Sequence, residues 1–371
     1  MRKKVLLTGI GGFIGSHCLQ YWLENTDWDI VGIDSYRNKG QVSRVQEVRL
    51  AEAFDASRVK IYVHDLAVPI DRQLENLLLD RRINERGQIE ERPFDYIINM
   101  ASDSAVERST TDPTYCLRNN YELAINMLEF ARKNPPRTFI QISTDEVFGE
   151  APPLPDPGHK EWAAIRPSNP YSASKAAQEA MAIAYWRTYD LPIVITNTMN
   201  IVAEWQDPEK FLPKIISLVA QGKEVPVYAD RVYGLGPGTG KVPGEYIVDG
   251  DAWYVGSRVY LDARNKADAL QFLTTLSPAR YSKGAAEPDR YNICGEDELD
   301  NLQLAQMVAQ VMGKDLIYKL IPSDSARPGY DRRYALDGSK LAAKGWKPPI
   351  PFRETLKRVV DWTMDNQHWL I

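Results

Sequence analysis

Three glycines spaced three apart, Gly9, Gly12 and Gly15, constrain this chain more than any other feature, because of what flanks them. The apolar run Val5-Leu6-Leu7 reads as a buried strand leading into Thr8-Gly9-Ile10-Gly11-Gly12-Phe13-Ile14-Gly15, and an apolar-periodic helix follows through Leu19 and Leu23. Missing side chains let such a turn tighten and approach a pyrophosphate, and the helix N-terminus supplies amide donors and a favourable dipole. A second apolar strand, Asp29 to Asp34, then ends in an acid about twenty residues on, where a carboxylate accepts hydrogen bonds from ribose hydroxyls. This predicts a dinucleotide site that favours NAD over NADP, although Arg37 is of the type that accommodates a ribose phosphate. Gly9, Gly12, Phe13, Ile14, Gly15 and Asp34 are its expected lining. After the next strand candidate, Asp65 is placed to reach the adenine ring, with a turn-capping role equally open, and Leu66 is a further expected cofactor contact.

Further buried strands are expected at Val59 to Val63, Tyr96 to Met100, Thr138 to Ser143 and Ile193 to Asn197, with helical stretches between several of them. Such alternation predicts an α/β fold with a doubly wound parallel sheet. After about residue 200, proline and glycine become frequent and short helices such as Leu302 to Met312 alternate with loops, which suggests a Rossmann domain over 1–199 and a smaller α/β substrate domain over 200–371, with some segments crossing back. The charged stretch Asp80 to Pro93 and the glycine-rich stretch Tyr233 to Asp251 read as insertions. With 371 residues, 44% of them hydrophobic, the chain can bury a sizeable core.

Composition excludes several function classes. A net charge of −5 repels nucleic acid. The longest apolar runs are too short to span a membrane, and the break at Thr8-Gly9 argues against an export signal. Three scattered cysteines and four histidines without metal-ligand spacing argue against a disulfide framework and a metal site, so a soluble cytoplasmic protein is expected.

Tyr171 and Lys175 in Tyr171-Ser172-Ala173-Ser174-Lys175 lie four apart, so on a helix both point the same way. A neighbouring ammonium favours phenolate, and such a tyrosine can take a proton from a hydroxyl while hydride leaves the same carbon. Upstream, the strand Gln141-Ile142-Ser143 is followed by Thr144-Asp145-Glu146-Val147-Phe148-Gly149. Strand ends in doubly wound sheets face the ligand crevice, and adjacent carboxylates in a closed cleft suit paired acid and base roles.

Together Thr8 to Gly15, Ser143 to Gly149, Tyr171 with Lys175, Pro208 to Pro213 and Arg327 to Ala335 resemble the extended short-chain dehydrogenase/reductase superfamily. Within it the resemblance is to the nucleotide-sugar 4,6-dehydratases, nearest the dTDP-glucose branch, and covers most of the chain. It implies a lyase that uses NAD to convert a nucleoside-diphosphate hexose into its 4-keto-6-deoxy form in deoxysugar biosynthesis. By resemblance, Tyr171 is the base for oxidation at C4, and Lys175 lowers its pKa and holds the nicotinamide ribose. Thr144 bonds the reacting hydroxyl, Glu146 removes the C5 proton and Asp145 protonates the departing C6 hydroxyl. Ala101 borders the cofactor. Asp103, Asn200, Lys210 and Tyr330 contact the nucleotide sugar, and Arg258 and Arg327 bind its diphosphate. A homodimer is also implied, formed through the helix Ser172 to Tyr189 with its small residues Ala176, Ala177, Ala180, Ala182 and Ala184.

The chain departs from the family pattern at Ala105, where a histidine is usual, at Leu123-Ala124 after Asn120, and at Asn200 to Glu204, which keeps only one asparagine of the usual run. Gly236 to Lys241 has the look of a phosphate loop but lacks its leading glycine and its hydroxyl, which excludes a nucleotide triphosphatase. A 4-epimerase or decarboxylase would share the cofactor site and Tyr171 but have no use for Asp145-Glu146. A non-catalytic NAD-binding protein would lack one of the Tyr, Lys or acid positions.

Overall fold

The computed structural model describes residues 2–37, 41–231, 244–248, 251–322 and 331–370. Arg327, Tyr330, the Gly236 to Lys241 run and most of the glycine-rich insertion lie outside these residues. Two compact units divide the chain: Met1–Val147 with Asn169–Asn197 and Ala267–Tyr291, and Phe148–Ser168 with Thr198–Lys266 and Asn292–Ile371.

In the first unit, strands β1 (Lys4–Thr8), β2 (Asp29–Asp34) and β3 (Val59–Val63) precede a small hairpin of β4 (Arg82–Ile83) and β5 (Ile89–Glu90), which occupies the charged insertion. Strands β6 (Tyr96–Asn99), β7 (Thr138–Ile142) and β8 (Ile193–Thr198) follow. The sheet order is β8-β7-β6-β1-β2-β3, every pair parallel, and a much later strand, Asp289–Ile293, extends it at the β8 edge. The order reverses between β1 and β6, which places a switch point at the carboxyl end of β1. Every residue of β1, β6, β7 and β8 is buried, the mark of a sheet covered on both faces.

Helix α1 (Phe13–Asn25) leaves the glycine turn. Helices α2 (Val42–Leu50), α3 (Arg72–Leu78) and α4 (Val106–Thr111) are short, whereas α5 (Pro113–Lys133) and α6 (Pro170–Tyr189) are long neighbours. Both long helices begin with proline at the first turn behind a side-chain cap: Asp112 accepts from the Tyr115 amide, and Asn169 accepts from Ser172 while the Ser172 hydroxyl returns a bond to the Asn169 amide. Leu123, Met127, Leu128 and Phe130 of α5 and Ala182 and Trp186 of α6 pack on Leu6, Ile97, Phe139, Ile193 and Ile195 of the strands. Each large apolar side chain buried this way contributes roughly 1.5–3 kcal/mol.

The second unit holds two four-stranded sheets. One has β10 (Val225–Arg231), β11 (Glu245–Val248), β12 (Asp251–Val255) and β16 (Tyr318–Pro322); the other has β9 (Asn200–Val202), β13 (Ser257–Asp262), β15 (Glu298–Asp300) and β17 (Arg333–Tyr334). Helices Phe211–Ala220, Asn301–Met312 and Phe352–Asp365 supply Leu212, Ile216, Val308, Leu356 and Val360 to its core. In the departed segment after Asn200, the buried Glu204 carboxylate receives both Arg264 and Arg358, and Arg358 also reaches Asp262.

Candidate active site

The glycine turn is built for close approach. Gly9 adopts φ +73°, in the left-handed region, and a Cβ there would stand 3.1 Å from the Ala101 Cα. A Cβ on Gly15 would lie 2.1 Å from the Gly9 carbonyl oxygen, so that position admits no side chain. On Gly12, by contrast, a Cβ would touch only the Gly9 oxygen, at 3.1 Å, and otherwise enter open space among the described residues at the start of α1. No side chain caps that helix. With Gly12 at the N-cap, the first amides of α1 are of the kind that bind a pyrophosphate. Thr8 stitches the switch point together, its hydroxyl oxygen accepting the amides of Met100 and Ala101 at 2.9 Å each.

Asp34 is buried at the end of β2, and its carboxylate accepts from the Gly11 amide at 2.9 Å and the Tyr36 amide at 2.8 Å. Burial holds its pKa above the ordinary carboxylate value against the opposing pull of these amides. Asp65 pairs with the Arg37 guanidinium and accepts from the Ala67 amide at 3.0 Å. Arg37 also donates to Asn119 Oδ1 at 2.6 Å. Leu66 is buried, and its carbonyl takes the Asn126 amide at 2.8 Å. The residues present thus fit NAD at the turn and at Asp34, while Asp65 serves to anchor Arg37 and its own turn.

On the other side of β1, strand β7 ends and the chain turns into a short 3₁₀ segment, Asp145–Phe148. The ladder with β8 persists one step further, the Ser143 amide donating to the Thr196 carbonyl at 2.7 Å. Thr144 is buried and its hydroxyl donates to Asp145 Oδ1 at 3.0 Å; the same oxygen accepts from the Glu146 amide at 3.1 Å. Glu146 Oε2 accepts from Asn169 Nδ2 at 3.1 Å, so the residue that caps α6 also orients this acid.

Tyr171 sits in the first turn of α6. Its phenol is pushed well above the ordinary tyrosine range, first by burial and then by the negative charge of Glu146 and Asp145. The two acids and Tyr171 thus act on one another electrostatically. Lys175 is buried one turn along the same helix, and its ammonium donates to the Ile142 carbonyl at 2.6 Å and to Gln178 Oε1 at 2.7 Å. Burial lowers its pKa to about 7. In this structure the lysine is thus engaged by neutral oxygens, while burial and the two carboxylates raise the tyrosine.

Asp103 is fully buried, but its carboxylate pairs with Arg108 and accepts from the Ala105 amide at 3.3 Å, which makes it an organiser of its own loop. In the second unit Asn200 opens β9 beside Tyr260, and Lys210 stands at the N-terminus of the Phe211–Ala220 helix. Arg258 is bonded to the main chain around it. Its guanidinium donates to the carbonyls of Ser257 and Arg332 at 2.7 Å each and of Asp331 at 2.8 Å, and it stacks 4.2 Å from the centre of the Tyr334 ring. Those bonds shape the 331–334 turn, because a planar fork satisfies several carbonyls at once.

Sequence reasoning missed Asn169, Gln178, Glu179, Asn197 and Arg290. For Asn169 a signal was present, since Asn before Pro at a helix start is a cap. The other four are interior polar residues, each with at least one partner more than fifty residues away in the chain.

The model of the NAD dependent epimerase/dehydratase family matches residues 5–294. The chain belongs to this family. Among its relatives, dTDP-glucose 4,6-dehydratase 1 of Escherichia coli (strain K12) is 31% identical, over 99% of this chain and 94% of that protein. The solved structure of DesIV, a dTDP-glucose 4,6-dehydratase from Streptomyces venezuelae with NAD bound, superimposes with a TM-score of 0.75 at 25% identity, covering 99% of this chain and 98% of DesIV. A UDP-glucuronic acid 4-epimerase from Bacillus cereus gives the same TM-score at 21% identity, over 98% and 99% of the two chains. The fold is thus common to dehydratases and epimerases. Among the described residues, no helix is long and apolar enough to cross a membrane.

Proposed function

We propose that this family member is an NAD-dependent nucleoside-diphosphate-hexose 4,6-dehydratase, with dTDP-glucose as its substrate. The observation that carries the reading is the pair Asp145 and Glu146, fixed by Thr144, its own amides and Asn169, in the electrostatic neighbourhood of Tyr171. Epimerisation at C4 needs a base at C4 alone. Elimination across C5 and C6 needs a second base and an acid as well.

The glycine turn and Asp34 would hold NAD⁺, which would supply the hydride acceptor for C4 and the hydride donor for C6, together with positive charge in a site rich in acids. Tyr171 takes the C4 hydroxyl proton, and Thr144 orients that hydroxyl. The resulting ketone acidifies the C5 proton, which Glu146 removes. Asp145 protonates the departing C6 hydroxyl; since its Oδ1 already accepts from Thr144 and the Glu146 amide, the proton is carried on Oδ2. Lys175 supports Tyr171 and the nicotinamide ribose. Asn200, Lys210, Arg327 and Tyr330 bind the nucleotide sugar, while Arg258 positions the 331–334 turn and Asp103 its own loop.

The setting we assign is the cytoplasm, which suits three free cysteines. The assembly is a homodimer through α5 and α6. Tyr121 and Ile125, each 37% exposed on α5, and the exposed Ala180 and Ala184 on α6 support this pairing. Ala180→Arg should give a monomer by sedimentation, and a dimer of undiminished affinity would refute that arrangement.

The activity is tested by incubating the purified protein with dTDP-, UDP-, CDP- and GDP-hexoses separately, without added cofactor. Loss of one water from the dTDP-sugar, with a 4-keto-6-deoxy product by NMR, is the expected outcome. A product of unchanged mass would mean an epimerase and would remove the roles given to Asp145 and Glu146.

A further inference from the structure

Two hydrogen bonds behind Thr144, through Asn197, lies an ion pair that has no part in the steps above. Arg290, on the late strand at the β8 edge, and Glu179 of α6 are 1% and 0% exposed at their side chains and paired with each other. Asn197 of β8 connects them to the reacting segment. Its Oδ1 accepts from Arg290 Nε at 3.0 Å, and its Nδ2 donates to Glu179 Oε1 at 2.8 Å and to the Thr144 carbonyl at 2.9 Å.

The geometry explains why an amide needs two charges around it. An asparagine side chain can rotate and flip, but here the guanidinium takes its oxygen and the carboxylate takes its nitrogen, so one orientation survives. That orientation aims the remaining N–H at the Thr144 carbonyl, just past the last ladder bond of β7, where the backbone turns into Asp145 and Glu146. Glu179 also lies eight residues after Tyr171, on the helical face that Tyr171 and Lys175 share. The segment is thus tied to α6 twice, through Asn169 to Glu146 and through Asn197 and Glu179 to Thr144. Stability does not account for the pair, because a buried ion pair is commonly replaced by apolar side chains without loss.

We propose that Asn197, Glu179 and Arg290 are positioning residues for the elimination half of the reaction, fixing the Asp145–Glu146 pair at its distance from the Tyr171 base. The inference rests on the dehydratase reading. It predicts a split between two steps: oxidation at C4 depends on Tyr171, on α6 itself, whereas elimination depends on the segment that the network holds.

The test is Asn197→Ala, followed with dTDP-glucose through the absorbance of the enzyme-bound reduced nicotinamide and through release of 4-keto-6-deoxy product. Outer supports of this kind are worth about 10- to 100-fold in activity. Product release should fall by that factor while the rate of cofactor reduction changes by less than about threefold, so that reduced nicotinamide accumulates during turnover. Equal slowing of both steps, or no slowing of either, overturns the proposal. Should Asn197→Ala not fold, the double variant Glu179→Met/Arg290→Met is decisive, since it removes both anchors of Asn197 without leaving a lone buried charge, and the same accumulation is expected. A wild-type protein that neither reduces its cofactor nor releases product would refute the dehydratase reading itself, an outcome distinct from failure of the split.

Discussion

Lys175 and Arg290 are both cations buried in the first unit, 3% and 1% exposed, yet they are treated in opposite ways. Arg290 faces the Glu179 carboxylate directly. Lys175 is given the Ile142 carbonyl and the Gln178 amide oxygen, and burial draws its pKa to about 7. Gln178 is held in turn by a polar chain: its Oε1 accepts from Gln141 Nε2 at 3.2 Å, Gln141 Oε1 accepts from Asn99 at 2.9 Å, and Asn99 Oδ1 accepts from the Thr8 hydroxyl at 3.1 Å, beside the glycine turn. The difference teaches what each charge is for. A neutralised charge holds geometry, whereas a charge given only neutral oxygens remains available to a reacting neighbour or an incoming cofactor.

Deleting each cation is the direct way to break this comparison. Lys175→Met should lower product formation by roughly 10²- to 10⁴-fold while the protein stays folded; a variant within tenfold of wild type in the product assay would remove Lys175 from the chemistry. Arg290→Met should instead cost about 3–5 kcal/mol of stability in denaturant unfolding, because Glu179 is left buried without its partner. Glu179→Met added to it should recover most of that loss. A double variant no better than Arg290→Met alone would show that the pair itself, and not the orphaned carboxylate, carries the stability. Arg258 supplies a third case, a buried guanidinium spread over three main-chain carbonyls and the Tyr334 ring. Arg258→Lys keeps the charge but cannot span those acceptors, so a loss of about 1–3 kcal/mol is expected in the same measurement. An unchanged midpoint would mean that the 331–334 turn does not depend on the fork.

The same contrast marks what the sequence could disclose. Gly9, Gly12, Gly15 and Asp34 are legible because their roles are local: a turn, a helix start and the end of the adjoining strand are all written within about thirty residues. The strands were legible for a related reason. Asp29–Asp34 and Val59–Val63 keep their expected bounds, although Val59–Val63 lies at the sheet edge and is not buried. Val5–Leu7 gains a residue at each end, and the other three shift by one residue at one end, because the covered strands demand continuous apolar runs. Tyr171 and Lys175 could be placed on one helical face from their spacing, but where the ammonium points depends on Ile142, thirty-three residues upstream, and on the chain of amides that ends at Gln178. For Arg258 the charge is visible in the sequence, whereas its carbonyl partners at 331 and 332, more than seventy residues on, are not. Arg290 was invisible as a partner: 111 residues separate it from Glu179, and neither has any local pattern to announce the pairing.

The smallest effect is also the one whose sign is least intuitive. With its pKa lowered to about 7 from 10.5, Lys175 binds fewer protons in the folded chain than in the unfolded one between those two values, so its contribution to stability improves as pH rises through that window. Below about pH 7 the ammonium is charged in both states and its burial penalty is fully present; above about 10.5 the penalty is gone. Lys175→Met, which never carries the penalty, should therefore be more stable than wild type at neutral pH and lose that advantage on the alkaline side, with a slope of at most about 1.4 kcal/mol per pH unit. Other groups titrate in the same range. Burial lowers the pKa of Lys4 and raises the Cys116 thiol to about 11, but both are present in the two proteins and cancel in the difference. Denaturant unfolding of the pair at a series of pH values measures that difference directly. A gap independent of pH would mean that Lys175 carries the same charge in the folded and unfolded chain, and its contrast with Arg290 would then be one of hydrogen bonding alone.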